Sequence, residues 1–253
     1  MNGPPATLRR VFWRCLFLQA AWNRRGMQNL GFAYAVDPAL RCLYADPGRR
    51  NEALRRHLAT FNCHPYTAAA IVGGAIHHEE RVAAGEEPPG APLAYKQVLQ
   101  GPLAALGDGF FWAGMRPFFG ALAAVGTMLL GWPALLVSLV AYNAIQLWLR
   151  WSLFRAGYRS GDQVVTRVAE LSLPSRGARL RDAGAILCGA AAGIGALGAM
   201  GRFGPGAGAV ALAAAGAGVV VLGLRARLLP TAYAVTGLGT AAGFLAQVIR
   251  GGR

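Results

Sequence analysis

Residues 116–150 read RPFFGALAAVGTMLLGWPALLVSLVAYNAIQLWLR, and between the two terminal arginines nothing carries a charge. An uncharged run of this length points to a membrane, because a crossing helix needs about 20 mostly apolar residues. Trp132-Pro133 interrupts the run near its middle and leaves two segments that each fall short of a comfortable crossing. Paired short segments of this kind predict a re-entrant or broken-helix hairpin. Composition agrees: 55% hydrophobic, 14% charged and 35 glycines among 253 residues is a balance that soluble domains rarely reach.

Immediately upstream lies GPLAALGDGFFWAGMRPF, residues 101–118, in which Asp108 stands among small, apolar and aromatic residues. An ionisable group in such a segment is costly and is a functional candidate by default. On a helix Trp112 follows one turn later on the same face. A carboxylate beside an indole suits a sugar, since the acid accepts hydroxyl hydrogen bonds while the ring stacks on the apolar C–H face. The alternative is that Asp108 caps a broken helix or accepts backbone N–H bonds. Arg116 is about 12 Å further along a regular helix, so an ion pair with Asp108 requires a break.

A second candidate is FNCHPYTAAA, residues 61–70, where Asn62 and His64 flank a turn before a helix that opens on Pro65. Both side chains can face a ligand near that helix N-terminus, although Asn62 also reads as a plain cap. The helix beginning at Pro65 is apolar for three turns, turns charged at His77-His78-Glu79-Glu80 and ends at Gly85. It is too short to span, and its charged end reads as solvated rather than metal-binding, because adjacent histidines leave a helix in different directions. EEPPGAP then forms a loop. No nucleophile with a base, phosphate-binding glycine loop or dinucleotide fingerprint is present, so catalytic residues, metal and cofactor are all expected to be absent.

Downstream, residues 155–182 form a polar, basic linker before a Gly/Ala-rich block with spans at about 183–201, 206–224 and 230–249. Gly189/Gly193 and Gly239/Gly243 have the spacing that lets helices approach closely. With Arg176, Arg179 and Arg181 on the cytoplasmic side, Arg202 falls outside and Arg225 and Arg227 inside, which sends the C-terminus outside. Residues 1–60 hold ten arginines against three acids. Here Thr7 is placed to cap a helix over about 8–22, with Leu8, Val11, Phe12, Cys15, Leu18 and Trp22 at helical spacing, lying in the interface plane. Asp37-Pro38 and Asp46-Pro47 each offer a cap and a first-turn proline, the second opening a helix with Leu54, Leu58 and Phe61 on one side. So basic an arm beside apolar spans reads as a partner for anionic lipid, not nucleic acid. The four cysteines read as buried hydrophobes. No signal peptide is evident, so the N-terminus is expected to stay cytoplasmic.

The expected fold is therefore all-α: a polytopic integral membrane protein with an amphipathic interfacial arm (1–60), a membrane core with re-entrant or broken-helix hairpins (61–154), the linker (155–182) and about three C-terminal transmembrane helices (183–253).

VFWRCLFLQAAWN, MQNLGFAY, DPALRCLY, FNCHPYTAAAIVGG, GPLAALGDGFFWAGMRP and FRAGYRSG, in this order, resemble the IID subunit of the mannose/fructose/sorbose family of bacterial phosphotransferase system (PTS) sugar transporters. The resemblance implies an inner-membrane subunit that forms the sugar pathway with an obligate IIC subunit, in a higher-order IIC–IID oligomer. IIA and IIB proteins would relay phosphate through their own histidines, so this chain is not itself phosphorylated. Carried onto this sequence, the family motifs place Gln28, Asn29, Asn62, His64, Asp108, Trp112 and Arg116 at a hexose-binding site. Cys63 stands where the family usually has Thr and Ala105 where it usually has Gly. A regulatory scaffold of a reduced PTS, which moves no sugar, is the alternative.

Overall fold

The described part of this computed structural model, residues 5–223, contains ten α-helices and no β-sheet. α1 (Pro5–Cys15), α2 (Asn29–Leu43) and α3 (Pro47–His57) form the basic arm, followed by α4 (Ala68–Ala83) and α5 (Ala91–Gly107). A π-helical stretch, Asp108–Met115, joins α5 to α6 (Arg116–Leu130), and α7 (Pro133–Ser160) returns beside α6. A short 3-10 turn, α8 (Val164–Glu170), α9 (Leu173–Phe203) and α10 (Pro205–Gly223) complete the described chain.

Two helical stretches, Ala91–Leu130 and Pro133–Phe203, the second interrupted near Gly161 and Ser172, contain windows long and apolar enough to cross a membrane. In their most apolar windows only 22% and 11% of residues are buried within the chain, so most of that surface is left for another apolar environment. The break between them falls where expected. Gly131, at φ 81, donates to the Thr127 carbonyl and ends α6, and Pro133 opens α7. Both helices outrun the uncharged run: α5 and the π stretch lead directly into α6, and α7 continues ten residues past Arg150 to Ser160.

One core joins Val11, Phe12, Cys15 and Leu18 of the arm to Phe32 and Leu40 of α2, Ile71 of α4 and Phe154 of α7. Helices α4 and α7 meet through glycines: a Cβ at Gly73 would collide with the Phe154 carbonyl, and one at Gly157 with the Ala70 carbonyl. Of the stripe expected to lie in the interface, Val11, Phe12, Cys15 and Leu18 are thus buried in protein, Leu8 is half-buried and Trp22 is exposed, with Phe12 edge-on to Trp151 at 4.8 Å. Helix α1 also stops at Cys15 rather than at 22. Nη2 of the buried Arg150 donates to the Cys15 carbonyl at 3.1 Å, and the chain then turns to pack Leu18 against Gly31.

Asp37-Pro38 starts no helix, because α2 runs through it. Pro38 has no N–H for the Tyr34 carbonyl, and Arg14 Nη1 supplies the missing donor at 3.1 Å while pairing with Asp37. Asp46-Pro47 does cap α3, through Asp46 Oδ2 and Arg49 N at 2.7 Å, but α3 ends at His57, before Leu58 and Phe61. Cys15 and Cys63 are buried as expected, whereas Cys42 and Cys188 are exposed. Gly189 and Gly193 face open space among the described residues. The span at 230–249, Arg225, Arg227 and Gly239/Gly243 lie outside the described residues.

Candidate functional site at the π-helical stretch

The turn holding His64 is fixed from below. Gln28 Nε2 donates to the Cys63 carbonyl at 2.8 Å and Gln28 Oε1 accepts from Cys63 N at 3.0 Å, so the whole amide is engaged on one backbone residue. Gln28 N donates to the Phe61 carbonyl, Phe61 N to the Gly26 carbonyl, and Met27 holds a left-handed φ of 57 to allow it. On the far side Thr67 Oγ1 donates to the Leu103 carbonyl of α5 at 2.8 Å. Asn29 completes the scaffold, donating to the Leu58 carbonyl at 2.7 Å and accepting from Asn23 Nδ2 at 2.9 Å.

Above this turn the helix widens. Pro117 lacks the N–H that would bond the Ala113 carbonyl in a regular helix, and the chain adopts i to i−5 bonding instead, Arg116 N donating to the Phe111 carbonyl. Glycines let the wide turn pack closely: Gly177 at the start of α9 lies against Gly109, Phe110 and Gly114, and Arg181 Nη1 donates to the Gly109 carbonyl at 3.4 Å. Widening also changes which side chains share a face, and it brings Phe111 and Trp112 over His64.

His64 is 2% exposed and sits in an aromatic box. Its ring stacks on Phe111 at 5.1 Å and 12°, and meets Trp112 at 5.1 Å and Tyr66 at 5.0 Å edge-on. Gly107 must lack a Cβ to admit the imidazole. Nδ1 accepts from Tyr66 N at 3.2 Å, which leaves the ring proton on Nε2, and that buried N–H has no partner among the described residues. Burial, helped by the nearby Arg150 charge, lowers the His64 pKa to about 4, so the ring is neutral at physiological pH.

The third wall comes from α7, where Ser138, Tyr142, Gln146 and Arg150 recur every four residues along one face of an otherwise apolar helix. Tyr142 and Tyr66 share a hydroxyl hydrogen bond at 3.3 Å, and the Arg150 guanidinium lies 5.0 Å from the Tyr66 ring centroid. Gln146 Oε1 and Arg150 Nε are buried without a hydrogen bond among the described residues. Unpaired buried polar atoms are costly, and three of them neighbour Tyr66 or its hydrogen-bond partner. This wall escaped the sequence reading. Its signal was the four-residue spacing of polar side chains within the uncharged run.

Of the residues predicted for a site, His64 and Trp112 come together, and Asp108 opens the same π stretch. Asp108 and Arg116 are exposed, and neither side chain makes a hydrogen bond or ion pair among the described residues. The Asp108 charge still reaches the turn below, adding to the burial that pushes the Cys63 thiol up to about 12. Asn62 is exposed and its backbone N–H donates to Gln100 Oε1 at 3.1 Å. Gln28 and Asn29 are engaged beneath the turn.

The end of α4 is not solvated as predicted. Glu79 is fully buried and receives His57 Nε2 at 2.9 Å, Tyr44 Oη at 2.7 Å and Arg56 Nη2 at 3.3 Å, with Arg56 Nε also 2.9 Å away but poorly aligned. Beside it the buried Lys96 donates to the His57 and Ala59 carbonyls at 3.1 Å under the Phe32 ring. His78 Nδ1 pairs with Glu87 at 2.8 Å and His77 Nδ1 meets the Tyr158 carbonyl at 3.0 Å, the two rings edge-on at 5.4 Å. Among the described residues no cluster of His, Cys, Asp and Glu has the makings of a metal site.

Comparison with known proteins points one way. The family described as EIID-AGA, PTS system mannose/fructose/sorbose family IID component, matches residues 5–190. The chain is 39% identical over 160 residues to the PTS system mannose-specific EIID component of Escherichia coli K12, a stretch covering 62% of this chain and 56% of that protein. It is 35% identical over 163 residues to the fructose permease IID component of Bacillus subtilis, covering 63% and 58%. The matched stretch thus spans little more than half of these relatives. Among solved structures, a chain of the mannose transporter ManYZ in complex with microcin E492 is 27% identical with a TM-score of 0.61, covering 96% of this chain and 97% of that one. A chain described as a membrane protein is 27% identical with a TM-score of 0.76, covering 97% and 98%.

Proposed function

This chain belongs to the IID component family of the mannose/fructose/sorbose phosphotransferase system, and we propose that it is the membrane subunit which forms a sugar pathway with a IIC subunit in phosphoenolpyruvate-dependent uptake. The observation that carries this reading is the likeness to a ManYZ chain along nearly the whole length of both proteins. The protein resides in the bacterial inner membrane, with Ala91–Leu130 and Pro133–Phe203 as its apolar helices. The N-terminus is placed in the cytoplasm and the C-terminus outside, following the arginines of 155–182. The α6–α7 hairpin, whose tip exposes Leu129, Leu130 and Trp132, is assigned as re-entrant and covered by the IIC partner.

The hexose is assigned to the π stretch, with Asp108 accepting hydroxyl hydrogen bonds, Trp112 stacking on the ring, and Asn62 and Arg116 at the rim. His64 Nε2–H supplies a donor from below, and Gln28 and Asn29 act by holding the turn. Phosphate travels on the IIA and IIB proteins, so the chain has no catalytic residue of its own. Labelled hexose uptake and phosphorylation in membranes holding IIA, IIB and IIC, with and without this chain, tests the reading. Uptake should require the chain, and undiminished uptake without it would overturn the proposal.

A further inference from the structure

With the apolar stripe of α1 turned into the core, the other face of that helix is left outward, and it carries Ala6, Arg9, Arg10 and Trp13, with Phe17 beside them in the turn after Cys15. With Tyr34 and Arg14 these residues line a surface cleft of about 490 Å³. Its floor is already paired: Arg14 meets Asp37, an acid it shares with Arg41, at 3.1 Å and lies 4.4 Å from the Tyr34 ring centroid. Its cations are not. Arg9 and Arg10 are exposed and have no hydrogen-bond or ion-pair partner among the described residues. The rim is aromatic, Trp13 being 58% exposed and Phe17 60%, with Trp22 at 53% in the turn that follows.

Two unpaired guanidiniums over a cleft rimmed by exposed indole and phenyl rings match the headgroup zone of a bilayer, where Trp settles and Arg takes phosphate. A soluble acidic protein would satisfy the arginines but would not explain the exposed Trp13, Phe17 and Trp22. We propose that the outward face of α1 is a headgroup site for an anionic phospholipid, with Arg9 and Arg10 donating to the phosphate and Trp13 and Phe17 entering the acyl boundary. The site rests on membrane residence and not on sugar transport, so it can fail while the uptake reading stands.

The test uses the full chain in membranes containing photoactivatable phosphatidylglycerol or photoactivatable phosphatidylcholine, with the labelled peptides mapped by mass spectrometry. Phosphatidylglycerol should label residues 9–17 more than phosphatidylcholine does, and Arg9→Gln/Arg10→Gln should cut that labelling by roughly thirtyfold, as two lost lipid contacts imply. Arg176→Gln/Arg179→Gln, which removes the same charge from exposed positions on α9, should leave it unchanged. Because the exposed Arg9 and Arg10 side chains make no hydrogen bond or ion pair among the described residues, membrane content of the double variant should equal that of the parent. Equal labelling by the two lipids, or labelling indifferent to Arg9 and Arg10, would overturn the site. So would its protection by added soluble IIB protein, which would assign the face to a protein partner.

Discussion

His57 and His64 are seven residues apart, both buried and both stacked on a phenyl ring, yet they do different work. His57 Nε2 donates to Glu79, within a network that ties α3 to α4, and the idle atom of its own ring is the Nδ1 lone pair, while Arg56 Nε, 2.9 Å from the same carboxylate, keeps the charge attraction without an aligned bond. His64 has no carboxylate. Its acceptor nitrogen is used by Tyr66 N, so the idle atom is an N–H, and the nearest charge, Arg150, is of the wrong sign to take it. An idle lone pair is tolerated more readily than an idle buried donor. The comparison teaches that counting buried ionisable groups does not find a ligand site. The discriminating feature is which groups lack the partner that their protonation state demands.

If the His57 region is structural, removing its carboxylate should produce the largest effect. Glu79→Gln is expected to destabilise the protein by about 3–5 kcal/mol, because it removes the buried negative charge that pairs with Arg56 and turns one of the two oxygens accepting from His57, Tyr44 and Arg56 into a donor. Asp37→Asn, which removes the part-exposed pairs with Arg14 and Arg41, should cost about 1 kcal/mol or less. Thermal unfolding in detergent measures both, and equal costs would erase the distinction. The pH dependence sharpens it. Burial depresses both histidines, His64 to about 4, so each binds protons more readily when unfolded. Stability is therefore full above the ordinary histidine pKa of about 6.5 and falls as pH drops toward 4, with His64 accounting for up to about 3 kcal/mol. His64→Gln should flatten that part of the profile, and an unchanged slope in the variant would show that the ring titrates normally.

Asp108 decides whether the second region meets sugar. Asp108→Asn should leave the subunit assembled with IIC and reduce uptake per complex at least about tenfold, equivalent to about 1.4 kcal/mol. Normal uptake with less assembled complex would instead make Asp108 a structural residue. A comparably small effect is expected at the cap of α3: Asp46→Ala, which deletes it, should lower stability by about 1 kcal/mol without altering uptake.

The sequence by itself determined what depends on composition and on local chain chemistry. The uncharged run of 116–150 made the chain helical and apolar, Gly131-Trp132-Pro133 set the hairpin break, Asp46 announced α3, and Gly85, at φ 79, marks the end of α4. Those signals act through neighbours a few residues away, so a linear reading captures them. Tertiary structure decided the rest. Which face of α1 is buried depends on Trp151 and Phe154, about 140 residues downstream. Pro38 is tolerated inside α2 because Arg14 supplies its missing donor, and Glu79 is buried because His57, Arg56 and Tyr44 converge on it. The candidate site was half legible: Asp108, Trp112 and His64 stood out, but the π stretch that sets Trp112 over His64 and the α7 wall of Tyr142, Gln146 and Arg150 did not. Their meaning lies in distances between helices, and no spacing along the chain encodes those.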